Sequence, residues 1–162
     1  MRLNTLFLAL LATTLLWSAP AVAESLKPGR NKITLEHGGR TRNAIVRVPQ
    51  GAPPAVGWPL VLMLHGGGGS AENLNRRSSW VDLADREGAV LVLPNGTARD
   101  ESKPASFTGN PRPWNDGGRP GENSRSAAGK GIDDSAFLLA LLDEVATGVK
   151  IDAGRIYVSG HS

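Results

Sequence analysis

Three short runs constrain this chain more than anything else in it: "PLVLMLH" at 59–65, "AVLVLPN" at 89–95 and "RIYVSG" at 155–160. The first two are apolar runs without alternation, which suits strands buried on both faces, as in a parallel sheet covered by helices on each side, and the third reads as the last strand. The stretches between them carry helical patterns. In "SSWVDLADREG", Ser79 and Asp82 have capping-box spacing, Trp80, Leu83 and Ala84 share one face, and Gly88 ends the pattern. In "IDDSAFLLALLDEVATGV", Asp133 and Asp134 sit where carboxylates oppose the positive end of a helix dipole, ahead of a stripe of Phe137, Leu138, Leu141, Leu142 and Val145. Upstream, "NKITLEHGGRTRNAIVRVP" predicts strands at 32–36 and 42–48 joined by a turn at His37-Gly38-Gly39. The order implies an α/β fold, with an antiparallel hairpin leading into a mostly parallel sheet flanked by helices. No internal repeat is visible.

The first residues do not fit that scheme. Arg2 is the single charge before an apolar run at 6–17, and Ala21-Val22-Ala23 closes the stretch. A basic start, a short apolar middle and an A-x-A exit predict a secretory signal peptide over 1–23, cleaved after Ala23. Thr13, Thr14 and Ser18 interrupt the run, which is shorter than the roughly 20 apolar residues of a membrane span. With no cysteine after the exit to carry a lipid, residues 24–162 are expected to be secreted or periplasmic, without a stable membrane anchor. The formal charge of +3 comes from scattered arginines, so no nucleic-acid partner is inferred. With no cysteine in the chain, an exported domain must rely on its core rather than on disulfides.

Two stretches could carry chemistry: "HGGGGS", His65 to Ser70, and the closing "GHS" of Gly160, His161 and Ser162. Each alone is weak, and Gly68-Gly69-Ser70 also matches G-x-S. Position strengthens them. A serine nucleophile needs a base and donors for the oxyanion it creates. One arrangement sets the serine on a sharp strand-to-helix turn with glycines two residues either side, and draws oxyanion donors from a glycine-rich loop after an earlier strand. Ser162 follows an apolar strand with Gly160 before it, and the backbone amides near Gly66 and Gly67 stand two sheet strands upstream.

With "LVLMLHGGGGSAENL", "WVDLADREGAVLVLPNG", "WND" and "IDDSAFLLALLDEV" leading into "IDAGRIYVSGHS", the chain resembles the α/β-hydrolase superfamily. Within it, the resemblance is to secreted esterases of the polyhydroxybutyrate depolymerase-like and feruloyl or acetylxylan esterase-like kind, from about residue 40 onward. It implies an α/β-hydrolase fold, Ser162 as nucleophile, Gly66 and Gly67 at the oxyanion hole, and a carboxylic ester as substrate. It places the triad's acid and histidine downstream of the serine, so 24–162 reads as the N-terminal part of one catalytic domain, expected to be inactive and aggregation-prone alone. His37, His65 and His161 all stand in the wrong place for the base. Many relatives carry cysteines around the loop that here reads "WNDGGRPGENSRSAAGKG"; this chain has none.

Plainer readings stand beside these. His65 is read as a histidine whose ring bonds loop backbone, and Asp133 and Asp134 as helix-start carboxylates. Trp114 is either a possible substrate wall or a plug that pins the long loop at 95–131. The centre of that loop is expected to be mobile and cut first by protease between 117 and 131. Gly66, Gly68 and Ala71 also fit the G-x-G-x-x-A dinucleotide fingerprint, but the second strand ends Leu93-Pro94-Asn95 with no carboxylate after it until Asp100, and a hairpin precedes the loop. "AAGKG" lacks the hydroxyl residue of a phosphate loop. No cofactor and no metal are expected. A non-catalytic exported binding domain on the same fold is the remaining alternative.

Overall fold

The computed structural model describes residues 25–117, 127 and 130–161. The proposed signal peptide, Ser162 and most of the segment expected to be cut first by protease lie outside them.

A hairpin opens the described chain. Strands β1 (Gly29–His37) and β2 (Arg40–Val48) pair antiparallel. Gly38 and Gly39 form the turn with φ of 58° and 71°, a left-handed pair that favours glycine and matches the twist of the strands. Both strands run further than the sequence predicts, because the ladder continues through the polar residues next to the turn. Then follow β3 (Trp58–Leu64), α1 (Ala71–Arg77), α2 (Trp80–Glu87), β4 (Val90–Pro94), a long irregular stretch, α3 (Asp134–Gly148) and β5 (Ile151–Gly160). The five strands stand in the order β1-β2-β4-β3-β5, with β3 parallel to both β4 and β5, and β2 antiparallel to β4. A hairpin entering a parallel sheet is the predicted architecture.

Why the apolar runs are continuous is now visible. Along β4, Val90 and Val92 belong to one core cluster with Leu60, Leu62, Phe137, Leu141 and Val145, under α3. Leu91 and Leu93 belong to a second cluster with Met63, Ala71 and Ala84, under α1 and α2. Alternate residues feed opposite layers, so no position in the strand is left for a polar side chain. Full burial of each large side chain contributes roughly 1.5–3 kcal/mol.

Three local readings change. The sequence reading placed no helix at 71–77, since seven residues are too few for a periodic signal. Ser70, which there matched G-x-S, is that helix's N-cap, accepting from the Asn73 N–H at 3.1 Å. Ser79 precedes α2 but has helical backbone and makes no side-chain cap. The chain turns directly from one helix into the next, and the capping box expected with Asp82 is not formed. Finally, Asp133 caps α3 by accepting from the Ala136 N–H at 2.8 Å, and Asp134 stands in the first turn as read, but it also has a buried partner that the sequence did not announce. It is 5% exposed and pairs with Arg42, 4% exposed, at 2.7 Å.

Candidate active site

The glycine loop leaves β3 at the edge where the parallel strands end, the usual place for ligands in open α/β sheets. β5 lies beside it: Leu64 is in register with Gly160, and the His161 N–H donates to the Leu64 carbonyl at 3.1 Å. The two stretches that sequence singled out, residues apart by almost a hundred positions, are thus neighbours on one sheet edge, up to His161. Ser162 lies outside the described residues.

His65 organises the loop. Its ring is 2% exposed, with the Gly96 N–H donating to Nε2 at 3.1 Å. A neutral imidazole that accepts at one nitrogen donates at the other, so Nδ1–H donates to the Gly66 carbonyl at 2.8 Å. The Gly69 N–H reaches the same oxygen at 2.8 Å, and the Trp114 indole N–H donates to the His65 carbonyl at 2.8 Å. Two consecutive peptides, 65–66 and 66–67, are therefore held by their carbonyl oxygens. In a trans peptide the N–H points opposite its carbonyl, and no peptide of the described chain is cis. The Gly66 and Gly67 N–H groups are aimed away from those bonds, and neither has an acceptor among the described residues. Preorganised amides of this kind suit a developing oxyanion.

Burial lowers the His65 pKa most, and the Arg112 charge adds to this; the bond to the Gly66 carbonyl and the Asp134 charge oppose it. With both ring nitrogens engaged, the imidazole has no lone pair free for a reacting proton. The plain reading of His65 as a residue bonded to loop backbone matches this geometry.

Gly68 sits where the loop is crossed by a second segment. Its φ is 83°, and a Cβ there would lie 2.6 Å from the Phe107 carbonyl, so any side chain would push the two segments apart. Phe107 itself is exposed. The excursion that carries it is folded around Asn110, whose side-chain amide donates to the carbonyls of Asp100, Lys103 and Pro104, while its Oδ1 accepts from the Asp100 N–H. The sequence offered no signal for Asn110 beyond its place in a polar loop. Trp114 stacks on His65 with ring centroids 4.9 Å apart and packs against the α3-side core, so its indole pins the loop to the end of β3. Behind it, Asn115 donates its backbone N–H to Asp134 and its side-chain amide to the Ile132 carbonyl. The "WND" motif is the seam between loop, helix and sheet.

The dinucleotide reading finds little room here. The Ala71 N–H at the start of α1 donates to Asn95 Oδ1, and the Asn73 N–H to Ser70. Donors that a phosphate would take at a helix N-terminus are already used. Among the described residues no group of three or more histidine, aspartate and glutamate side chains could hold a metal ion, and no helix is long and apolar enough to cross a membrane.

No family model matches the chain. Among curated proteins, "Putative esterase NocK" of Nocardia uniformis subsp. tsuyamanensis is 32% identical over 125 residues, which cover 76% of this chain and 31% of that protein. Among solved structures, native pOPH superposes with a TM-score of 0.58 at 22% identity, over 89% of this chain and 47% of that one. The carboxylesterase EstE1, cloned from a metagenomic library, gives 0.55 at 20% identity, over 88% of this chain and 40% of that one. The S-formylglutathione hydrolase FrmB from Staphylococcus aureus gives 0.53 at 16%, over 83% of this chain and 47% of that one. The chain thus spans less than a third of its curated relative and less than half of each of these structures. Over its described strands and helices, it has the α/β-hydrolase fold.

Proposed function

We propose that this chain supplies the nucleophile and the oxyanion amides of an exported serine esterase. The observation that carries the reading is the pairing of the two motifs: the glycine loop, with its two amides unpaired among the described residues, lies beside the end of β5, two residues before Ser162. Ser162 attacks the ester carbonyl, the alcohol leaves, and an acyl-enzyme forms that water then hydrolyses. The Gly66 and Gly67 N–H groups receive the oxyanion. The resemblance implies a base and acid partner downstream of the serine. The geometry agrees with this for His65, which has both nitrogens engaged, and for His37, which lies in the hairpin with its ring centroid 6.2 Å from that of Phe137. His161 is the residue directly before the serine. The esterase name of the curated relative and the hydrolase names among the structural neighbours support this class. Within it we favour hydroxyalkanoate, feruloyl or acetyl polysaccharide esters, acted on outside the cytoplasm after cleavage at Ala23.

The test is hydrolysis of p-nitrophenyl acetate by the full-length enzyme and by its Ser162→Ala variant. Loss of a triad nucleophile removes several orders of magnitude of rate; a variant that keeps its rate would end the assignment. Secreted material should begin at Glu24; an intact Met1 in a soluble cytosolic protein would end the export reading.

A further inference from the structure

A crevice of about 290 Å³ opens on the same sheet edge, between the start of β2, the end of β4 and the 97–112 excursion. Its wall includes Gly96, whose N–H holds His65, so it adjoins the oxyanion loop through a single hydrogen bond. Gly96 is bare for a reason: a Cβ there would lie 2.7 Å from the Pro113 carbonyl and 3.2 Å from that of Arg112. The missing side chain lets the 112–113 backbone lie directly on the end of β4, which brings Arg112 to the crevice wall.

The charges of the wall cancel except for one. Arg42 is neutralised by Asp134, Lys103 by Asp100 at 2.8 Å, and Glu101 by Arg40 at 3.0 Å. Arg112 has no hydrogen bond and no ion pair among the described residues, although it is half-buried and burial lowers its pKa. In the same wall the Thr97 hydroxyl, in a residue 6% exposed, has no partner among the described residues. A partly desolvated guanidinium without a counter-charge, beside an orphaned hydroxyl, is a place where an acceptor is missing.

We infer that this crevice is a carboxylate subsite, in which Arg112 receives an anionic group carried by the ester substrate. The inference rests on the esterase reading for its kinetics, though not for binding. A guanidinium takes a carboxylate through two parallel N–H donors, and the volume admits a carboxylate with a few carbons, not a second polymer chain.

The test uses the full-length enzyme with monomethyl glutarate, which carries one carboxylate and one ester, against dimethyl glutarate. Arg112→Gln is expected to lower kcat/KM for the acid ester about tenfold or more beyond its effect on the neutral ester. Arg112→Lys, which keeps the charge, should retain much of the preference, and Arg112→Glu should invert it. Equal losses on both esters in all three variants would overturn the subsite. Calorimetric titration of glutarate separates this from the catalytic reading. Should Ser162→Ala hydrolyse both esters as the parent does, the esterase mechanism fails, yet glutarate binding that is lost in Arg112→Gln still supports the subsite. Glutarate binding that is absent from the parent, or unchanged in Arg112→Gln, refutes it.

Discussion

β4 and β5 read alike in sequence, each an apolar run after a helix, and the structure treats them oppositely. All five residues of β4 are buried, between β2 and β3 and beneath helices on both faces. β5 pairs with β3 alone at the edge of the described sheet, and Tyr157 and Val158 are 55% and 65% exposed. The proposed oxyanion loop grows from β3, which β4 flanks on its buried side, while the chain leading to the proposed nucleophile leaves β5. One half of the site is therefore held by packing and a closed set of hydrogen bonds. The other rests on a single ladder. An exposed apolar edge also offers a template for pairing with another chain.

The largest effect should come from opening the end of β4. Arg42 donates to the Asn95 carbonyl and to Asp134, with its guanidinium 3.8 Å over the Phe137 ring. Arg42→Met strands a buried carboxylate, which typically costs about 3–5 kcal/mol. Adding Asp134→Leu should restore a good part of it in urea unfolding; no recovery would mean that lost packing on Phe137, not the orphaned charge, dominates.

The contrast between the strands is tested most directly by truncating each. Leu91→Ala should cost about 2–5 kcal/mol, and Val158→Ala in this chain about 0.5 kcal/mol or less. Equal losses would erase the distinction between interior and edge. If Val158→Ala becomes costly only in a longer chain, the edge is covered there, which sharpens it.

Trp114→Phe keeps a ring against His65 and removes the indole N–H. Leaving the His65 carbonyl without its donor should cost about 1–3 kcal/mol. It should also lower kcat of the full-length enzyme more than it raises KM, because the 65–66 peptide loses its hold. A pure KM effect would make Trp114 a wall for substrate rather than a pin.

The smallest effect is a slope with pH. The folded pKa of His65 lies below its ordinary 6.5, so on acidification the unfolded chain takes up the proton first. Stability is complete above that value and falls as pH drops from it toward the folded pKa, below which the loss stops. A proton on Nε2 would set two donors face to face at Gly96. Thermal unfolding followed from about pH 7 to about pH 5 should show this decline, and His65→Gln should flatten it. An unchanged slope in the variant would assign the dependence to other groups.

Much of the fold was legible because it rests on local pattern. Apolar runs mark the sheet strands, the 3.6-residue stripe marks α3, and paired glycines mark the hairpin. The candidate loop was legible for the same reason, since its glycines are consecutive. What could not be read depended on partners distant in sequence. Nothing local separates Asp133, which caps a helix, from Asp134, which the fold buries against a strand 92 positions away. Nor does anything mark Asn110 as the hub of a loop, or Arg112 as the cation of the crevice wall left without a partner among the described residues. Sequence alone determined the strands, the helices apart from α1, and which glycines could turn, because those choices are made within a few residues. Tertiary structure decided which polar groups meet and which of two similar strands lies inside, because a hydrogen bond or an ion pair exists only where the packed layers bring both of its ends together.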